Sequence, residues 1–216
     1  MLGRRKKRSN NAVTLKQQIF KEAREQFLSK GFAETSTVEI ARNVGCNQAL
    51  VYYYYKSKDE LFLAVFREYM LKAVDSFYEP ALKYDSLEDK IAGIVRRCFE
   101  FLGSDKRYAH FFVEEFLVKK KARQYIRGLG NEISFQRAFI VCHKAIHKGV
   151  VEGKVAPDTD AATLITDILT LCVSTFLSLD LFTEMADAEK IERYLNYREE
   201  HITELILNNI MLKPAQ

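Results

Sequence analysis

Three observations predict an all-α architecture. Only three Pro and nine Gly interrupt the 216 residues, so long segments lack the residues that punctuate turn-dense β folds. Apolar residues recur at helical spacing along those segments, and 48% of the chain is hydrophobic, enough for a substantial core. Capping signals also bracket the apolar runs, giving about nine helices and no strands.

Residues 1–13 form a basic, polar stretch expected to be a flexible arm, with Arg4, Arg5, Lys6, Lys7 and Arg8 at its start. It is either a solvated tail or an arm that reaches DNA phosphate or the minor groove. Helix 1 is expected from Leu15 to Lys30, where Leu15, Ile19, Ala23 and Phe27 share a face and Gly31 supplies a C-terminal stop. Ser36-Thr37-Val38-Glu39 reads as a capping box that opens a short helix through Ile40, Ala41 and Val44 to Gly45.

A third helix is expected from Asn47 to Tyr54. Two short helices joined by a tight Gly-containing turn are helix-turn-helix grammar. Ser57-Lys58-Asp59-Glu60 is a second capping box; it opens a long helix through Leu61, Phe62, Val65, Phe66, Tyr69 and Leu71, expected to end near Pro80.

Ser86-Leu87-Glu88-Asp89 starts a helix toward Gly103. Asp105 to Arg127 is expected to be helical with a division near Lys119, and Asn131 to Glu152 gives another helix. After Gly153 and Pro157, a strongly apolar helix runs from Asp158 to Phe182, and Ala188 to Leu212 closes the chain. The domains expected are therefore the arm (1–13), a helix-turn-helix DNA-binding domain (14–60) and a helical effector-binding and dimerisation domain (61–216).

Charge separates the two main parts. Residues 1–60 carry 12 Lys/Arg against 6 Asp/Glu, while the remainder carries 21 against 23. A basic head on a near-neutral body is the electrostatic footprint of a polyanion-binding module. The four cysteines, Cys46, Cys98, Cys142 and Cys172, have neither a disulfide framework's density nor zinc-finger spacing. With no run of 18 apolar residues and no apolar segment after the basic start, a cytoplasmic protein is expected. No Gly-rich phosphate loop, nucleophile elbow or Ser-His-Asp grouping appears, so neither an enzyme nor a cofactor is expected.

The run from Thr35 to Leu61, TSTVEIARNVGCNQALVYYYYKSKDEL, resembles the signature of the TetR/AcrR family of transcriptional regulators. The resemblance extends back through helix 1. Farther along, only GVVEGKVAPDTDA is similar, looking like the family's lead into its penultimate helix. The resemblance implies a three-helix DNA-binding head, a helical ligand-binding and dimerisation body, and a homodimer formed through the last two helices. It also implies a repressor released from a near-palindromic operator by a small apolar or amphipathic effector, with activation left open. Ala49-Leu50 stands where many members have a pair such as Gly-Thr, Tyr55 replaces the usual Phe and Asn47 the more frequent Ser, so no relative's operator can be borrowed.

Major-groove reading requires one polar or methyl-seeking face on the third helix, with successive residues 100° apart. Val51 and Tyr55 go to the core and Tyr52 and Tyr53 to DNA, with Tyr54 left unassigned. Gln48 is the expected base reader, Ala49 permits close approach and Leu50 suits a thymine methyl. Asn47 is either a helix cap or a phosphate contact. Ser36, Thr37 and Lys58 lie at helix starts suited to phosphate.

For the effector, Phe101, Tyr108, Phe112, Phe116, Phe139, His143 and Phe176 are the candidate lining residues, since aromatics interspersed with a few polar groups suit a small-molecule pocket. No metal is expected in the leading reading. Two alternatives remain: a metal sensor using His143 and His147, four residues apart on one helix face, and a helical scaffold that does not bind DNA.

Overall fold

A computed structural model describes residues 3–118, 133–183 and 186–212; the side chains of residues 1–14 lie outside those described, and the contacts of the expected basic arm with them. Among the described residues there are nine α-helices, one π-helical segment and no strand longer than an isolated bridge.

The order is α1 (Gly3–Glu34), α2 (Thr37–Val44), α3 (Gln48–Tyr54), α4 (Lys58–Lys83), α5 (Leu87–Gly103) and α6 (Arg107–Phe111). A π-helical turn, Phe112–Val118, follows, and then α7 (Ile133–Val151), α8 (Ala161–Thr183) and α9 (Ala188–Ile210). The chain divides into two compact units. The first runs up to Tyr69 and takes in the π-helical turn; the second holds Met70–His110 and the described residues from 133 onward.

In the first unit, α1 starts within the stretch expected as an arm, and its helical backbone breaks at Gly31, φ 71°. Ile19, Ala23 and Phe27 are fully buried, as their spacing predicts. An aromatic core holds the unit together: the Phe62 ring meets Phe27 and Phe32 edge-on at 5.1 Å each, and Phe66 and Phe111 at 6.0 and 6.1 Å. Glu115 of the π-helical turn is buried in this unit and accepts a 3.0 Å bond from the Phe32 N–H, a donor released by the break at Gly31.

The second unit is a bundle in which α8 packs against α5, α7 and α9, as a helix apolar around most of its circumference requires. Ala161, Leu164, Ile168, Cys172 and Phe176 form its buried stripe. By length and composition alone Ala161–Leu179 would also suit a membrane span, but here that stretch is the bundle's central helix. A short antiparallel bridge, Val155 to Met211, ties the end of α9 to the turn after α7.

Several boundaries differ from those expected. Helix α4 runs through Pro80 to Lys83. Proline forfeits one backbone bond, but α5 passes so close that a Cβ on Gly93 would lie 3.0 Å from Pro80 Cβ and 2.5 Å from Tyr84 Cε2, so packing holds the last turn. Helix α8 starts at Ala161, because Asp160, not Asp158, accepts from the Thr163 N–H at 2.7 Å. The segment after Asp105 changes from α to π turns at Phe112; the division expected near Lys119 lies outside the described residues.

Candidate nucleic-acid interface and effector cavity

Gly45, φ 74°, ends α2 in the left-handed conformation, and its N–H bonds back to Arg42 O. That turn sets α3 across α2. No atom lies within 4 Å of a Cβ built there, so Gly45→Ala is expected to cost only the backbone strain, about 1–2 kcal/mol, read as a lowered melting temperature of the head.

The two caps differ from the simple pattern. Ser36 sits at the N-cap of α2, yet its side chain makes no capping bond, and Glu39 pairs with Lys30 at 2.9 Å instead of closing the box. At α4 the box closes one residue early: Ser57 Oγ accepts from the Glu60 N–H, and Glu60 Oε2 from the Lys56 N–H.

Val51 and Tyr55 of α3 are buried, and Tyr52 and Tyr53 face outward, 41% and 78% exposed. Tyr54 is half-buried with its ring 5.2 Å from Tyr53. Asn47 is the N-cap, its Oδ1 accepting from the Leu50 N–H at 3.0 Å. Gln48 Nε2 donates to Thr37 Oγ1 at 2.8 Å and lies 3.4 Å from Tyr52 Oη, which is itself 3.2 Å from Thr37 Oγ1.

These three side chains form a closed polar ring between α2 and α3. Thr37 is only 6% exposed, so the phosphate contact expected there would fall to its backbone or to half-buried Ser36. Ala49 is exposed and Leu50 half-buried. Lys58 donates to Ala33 O at 3.1 Å and lies over the Phe32 ring at 4.5 Å, bracing the α1–α2 connection as well as standing at the start of α4.

Sequence reasoning missed Val38 and Arg42, which lie exposed on the outer face of α2 opposite the core pair Ile40 and Ala41. The same 100° periodicity applied to α2 would have found them. Exposed Lys56, between α3 and α4, adds a further cation.

Of the seven expected effector residues, five belong to the second unit and two, Phe112 and Phe116, to the first. In the second unit, Phe101 stacks on Tyr108 at 4.9 Å, Phe176 packs edge-on against Phe99 at 5.3 Å, and Phe139 and His143 lie exposed on α7. Phe112 stacks on Phe116 at 4.9 Å on the π-helical turn, in the first unit. None of the seven lines the apolar cavity of the second unit. No group of three potential metal ligands occurs among the described residues, His143 and His147 included.

That cavity lies among α4, α5, α7 and α8 and is small, about 20 Å³, the space of about one water. Its walls include Phe77, Ile91, Ile94, Ile146, Leu164 and Ile168. Cys142 also lines it, its thiol pushed up to about 11 by burial and eased downward by Lys90, the one charged side chain in the wall. Lys90 Nζ donates to Ala81 O at 3.0 Å and to Tyr84 O, beside the end of α4.

Two helices joined by a glycine turn, with one exposed polar face on the second, define the helix-turn-helix class. Residues 19–65 match the family described as bacterial regulatory proteins, tetR family. The match covers the second half of α1, α2, α3 and the first turns of α4, about a fifth of the chain. A fatty acid metabolism regulator protein of Bacillus subtilis is 24% identical over 92 residues, 43% of this chain and 47% of that protein, so the match spans about half the relative's length.

A TetR transcriptional regulator from Chloroflexus aurantiacus shares the fold at a TM-score of 0.70 and 15% identity, over 94% of this chain and all of that one. The transcriptional regulator FadR of Bacillus subtilis, solved in complex with stearoyl-CoA, shares it at 0.66 and 18% identity, over 88% of this chain and 97% of that one.

Proposed function

We propose that the protein is an effector-responsive, cytoplasmic transcriptional regulator that binds a near-palindromic duplex as a homodimer and represses until a small amphipathic molecule binds the body. The observation that carries the reading is the outward face of α3, where Gln48, Ala49, Tyr52 and Tyr53 stand over a buried Val51 and Tyr55. One helix this short reads few base pairs, so specificity calls for two heads on two half-sites.

Dimerisation through α8 and α9 is supported by apolar side chains left on their surface, Leu181 and Tyr197 being 72% and 63% exposed. Acyl-type molecules are the first effector class to test, given the fatty-acid regulator and the acyl-CoA complex among the relatives. The effector acts by shifting the population between dimer forms, through its differential affinity for them. Helix α4 is the candidate lever, because it is one continuous helix with residues in both units.

The test is selection of bound DNA from a random duplex pool, followed by salt titration. A near-palindrome is expected, with affinity falling roughly three to five orders of magnitude between about 50 and 200 mM salt if six to ten phosphates are contacted. Failure to enrich any sequence, or weak binding without a salt slope, would favour an interaction scaffold.

A further inference from the structure

We infer that Gln48 meets its base as a hydrogen-bond acceptor only, so that the base facing it carries an exocyclic amine, adenine or cytosine, and that Thr37 and Tyr52 impose this rule. The inference rests on the DNA-binding reading above. A glutamine amide has one acceptor oxygen and two N–H donors, and with all of them free it favours adenine, pairing with the amine and N7 together. Here the nitrogen is engaged within the protein. Gln48 Nε2 donates to Thr37 Oγ1 at 2.8 Å and to Tyr52 Oη at 3.4 Å, one N–H for each hydroxyl. Its oxygen is the part of the amide left to face DNA.

The arrangement is braced on every side. Asn47 caps α3 through the Leu50 N–H and so fixes the turn from which the Gln48 side chain leaves. Tyr52, four residues on, shares that face, and its hydroxyl lies 3.2 Å from Thr37 Oγ1, so each member of the ring holds the other two. Drawing the nitrogen out to adenine N7 takes a donor from the Thr37 hydroxyl, which is buried, and that loss offsets the bond gained. Adenine therefore forfeits its advantage over cytosine. Guanine and thymine present only acceptors in the major groove, so the Gln48 oxygen is turned against both.

The full-length protein and Gln48→Ala are each taken through selection from a random duplex pool. The position whose preference Gln48→Ala flattens is the one Gln48 reads. Duplexes differing only there, changed alike in both half-sites, are then compared by fluorescence anisotropy. Adenine and cytosine are expected to bind within about threefold of each other, and both about tenfold or more tighter than guanine or thymine. Thr37→Val combined with Tyr52→Phe frees both N–H groups and is expected to raise adenine about tenfold over cytosine. Thr37→Ser, which keeps the hydroxyl, is expected to leave the two bases equal. A purely structural ring would lower affinity for all the duplexes alike.

Preference for adenine alone, for guanine or for thymine in the parent protein overturns the inference, as does a Gln48→Ala variant that flattens no position. An unchanged base rule in the double variant removes Thr37 and Tyr52 from it. Should the double variant not fold, the rule shown by the parent protein still decides. Failure to select any duplex sinks the DNA-binding reading and this inference with it, whereas a duplex selected under another base rule sinks the inference alone.

Discussion

Tyr53→Ala is expected to lower affinity for the selected duplex by about thirtyfold or more, from roughly 1–2 kcal/mol lost at each of two heads. The ring meets Tyr54 at 5.2 Å and is otherwise mostly in solvent, so stability is expected to stay within about 0.5 kcal/mol of the parent. That separation makes Tyr53 a sharper probe than Gln48, whose removal also strips the buried Thr37 hydroxyl of a donor. Anisotropy titration beside thermal melting checks both halves, and unchanged affinity would take Tyr53 out of the interface.

Phe62→Ala is expected to have the largest effect on stability, about 3–5 kcal/mol, the usual cost of emptying a fully buried aromatic site. Its ring touches Phe27 and Phe32 near the end of α1, Phe66 one turn along α4, and Phe111 at the end of α6. No single neighbour can collapse into the gap, because each is held by others in the cluster. Denaturant unfolding at two temperatures measures the loss, and Phe62→Leu is expected to recover about half of it. Operator binding should fail with folding, in contrast to Tyr53→Ala.

The head was legible because its signals are local. Gly31 and Gly45 stop helices at the positions where their backbones turn left-handed, and the wheel of α3 separates Val51 and Tyr55 from Tyr52 and Tyr53. The fine chemistry was not local. Ser36 and Glu39 have the spacing of a capping box, but Lys30, nine residues before Glu39, outcompetes the cap for its carboxylate.

Tertiary packing also overrode Pro80, whose ring lies against α5 while α4 continues past it. The cavity of the second unit was the least legible feature. It is bounded mainly by aliphatic residues from four helices, whereas aromatic side chains such as Phe101 and Tyr108 pack on one another. Nothing in a linear pattern distinguishes an isoleucine facing a void from one facing a neighbour.

Helix α3 reads QALVYYY and carries no ionised side chain, although it holds the proposed base-reading face. On the proposed DNA-binding role, release of counterions would thus fall to cations elsewhere on the head, such as the exposed Arg42 and Lys56. Which sequence is chosen and how fast the protein scans nonspecific DNA are therefore written in different residues. On that role, substitutions along α3 would redirect the protein to another set of sites without altering its one-dimensional search, so a duplicated copy would acquire new targets while keeping the same mobility on DNA.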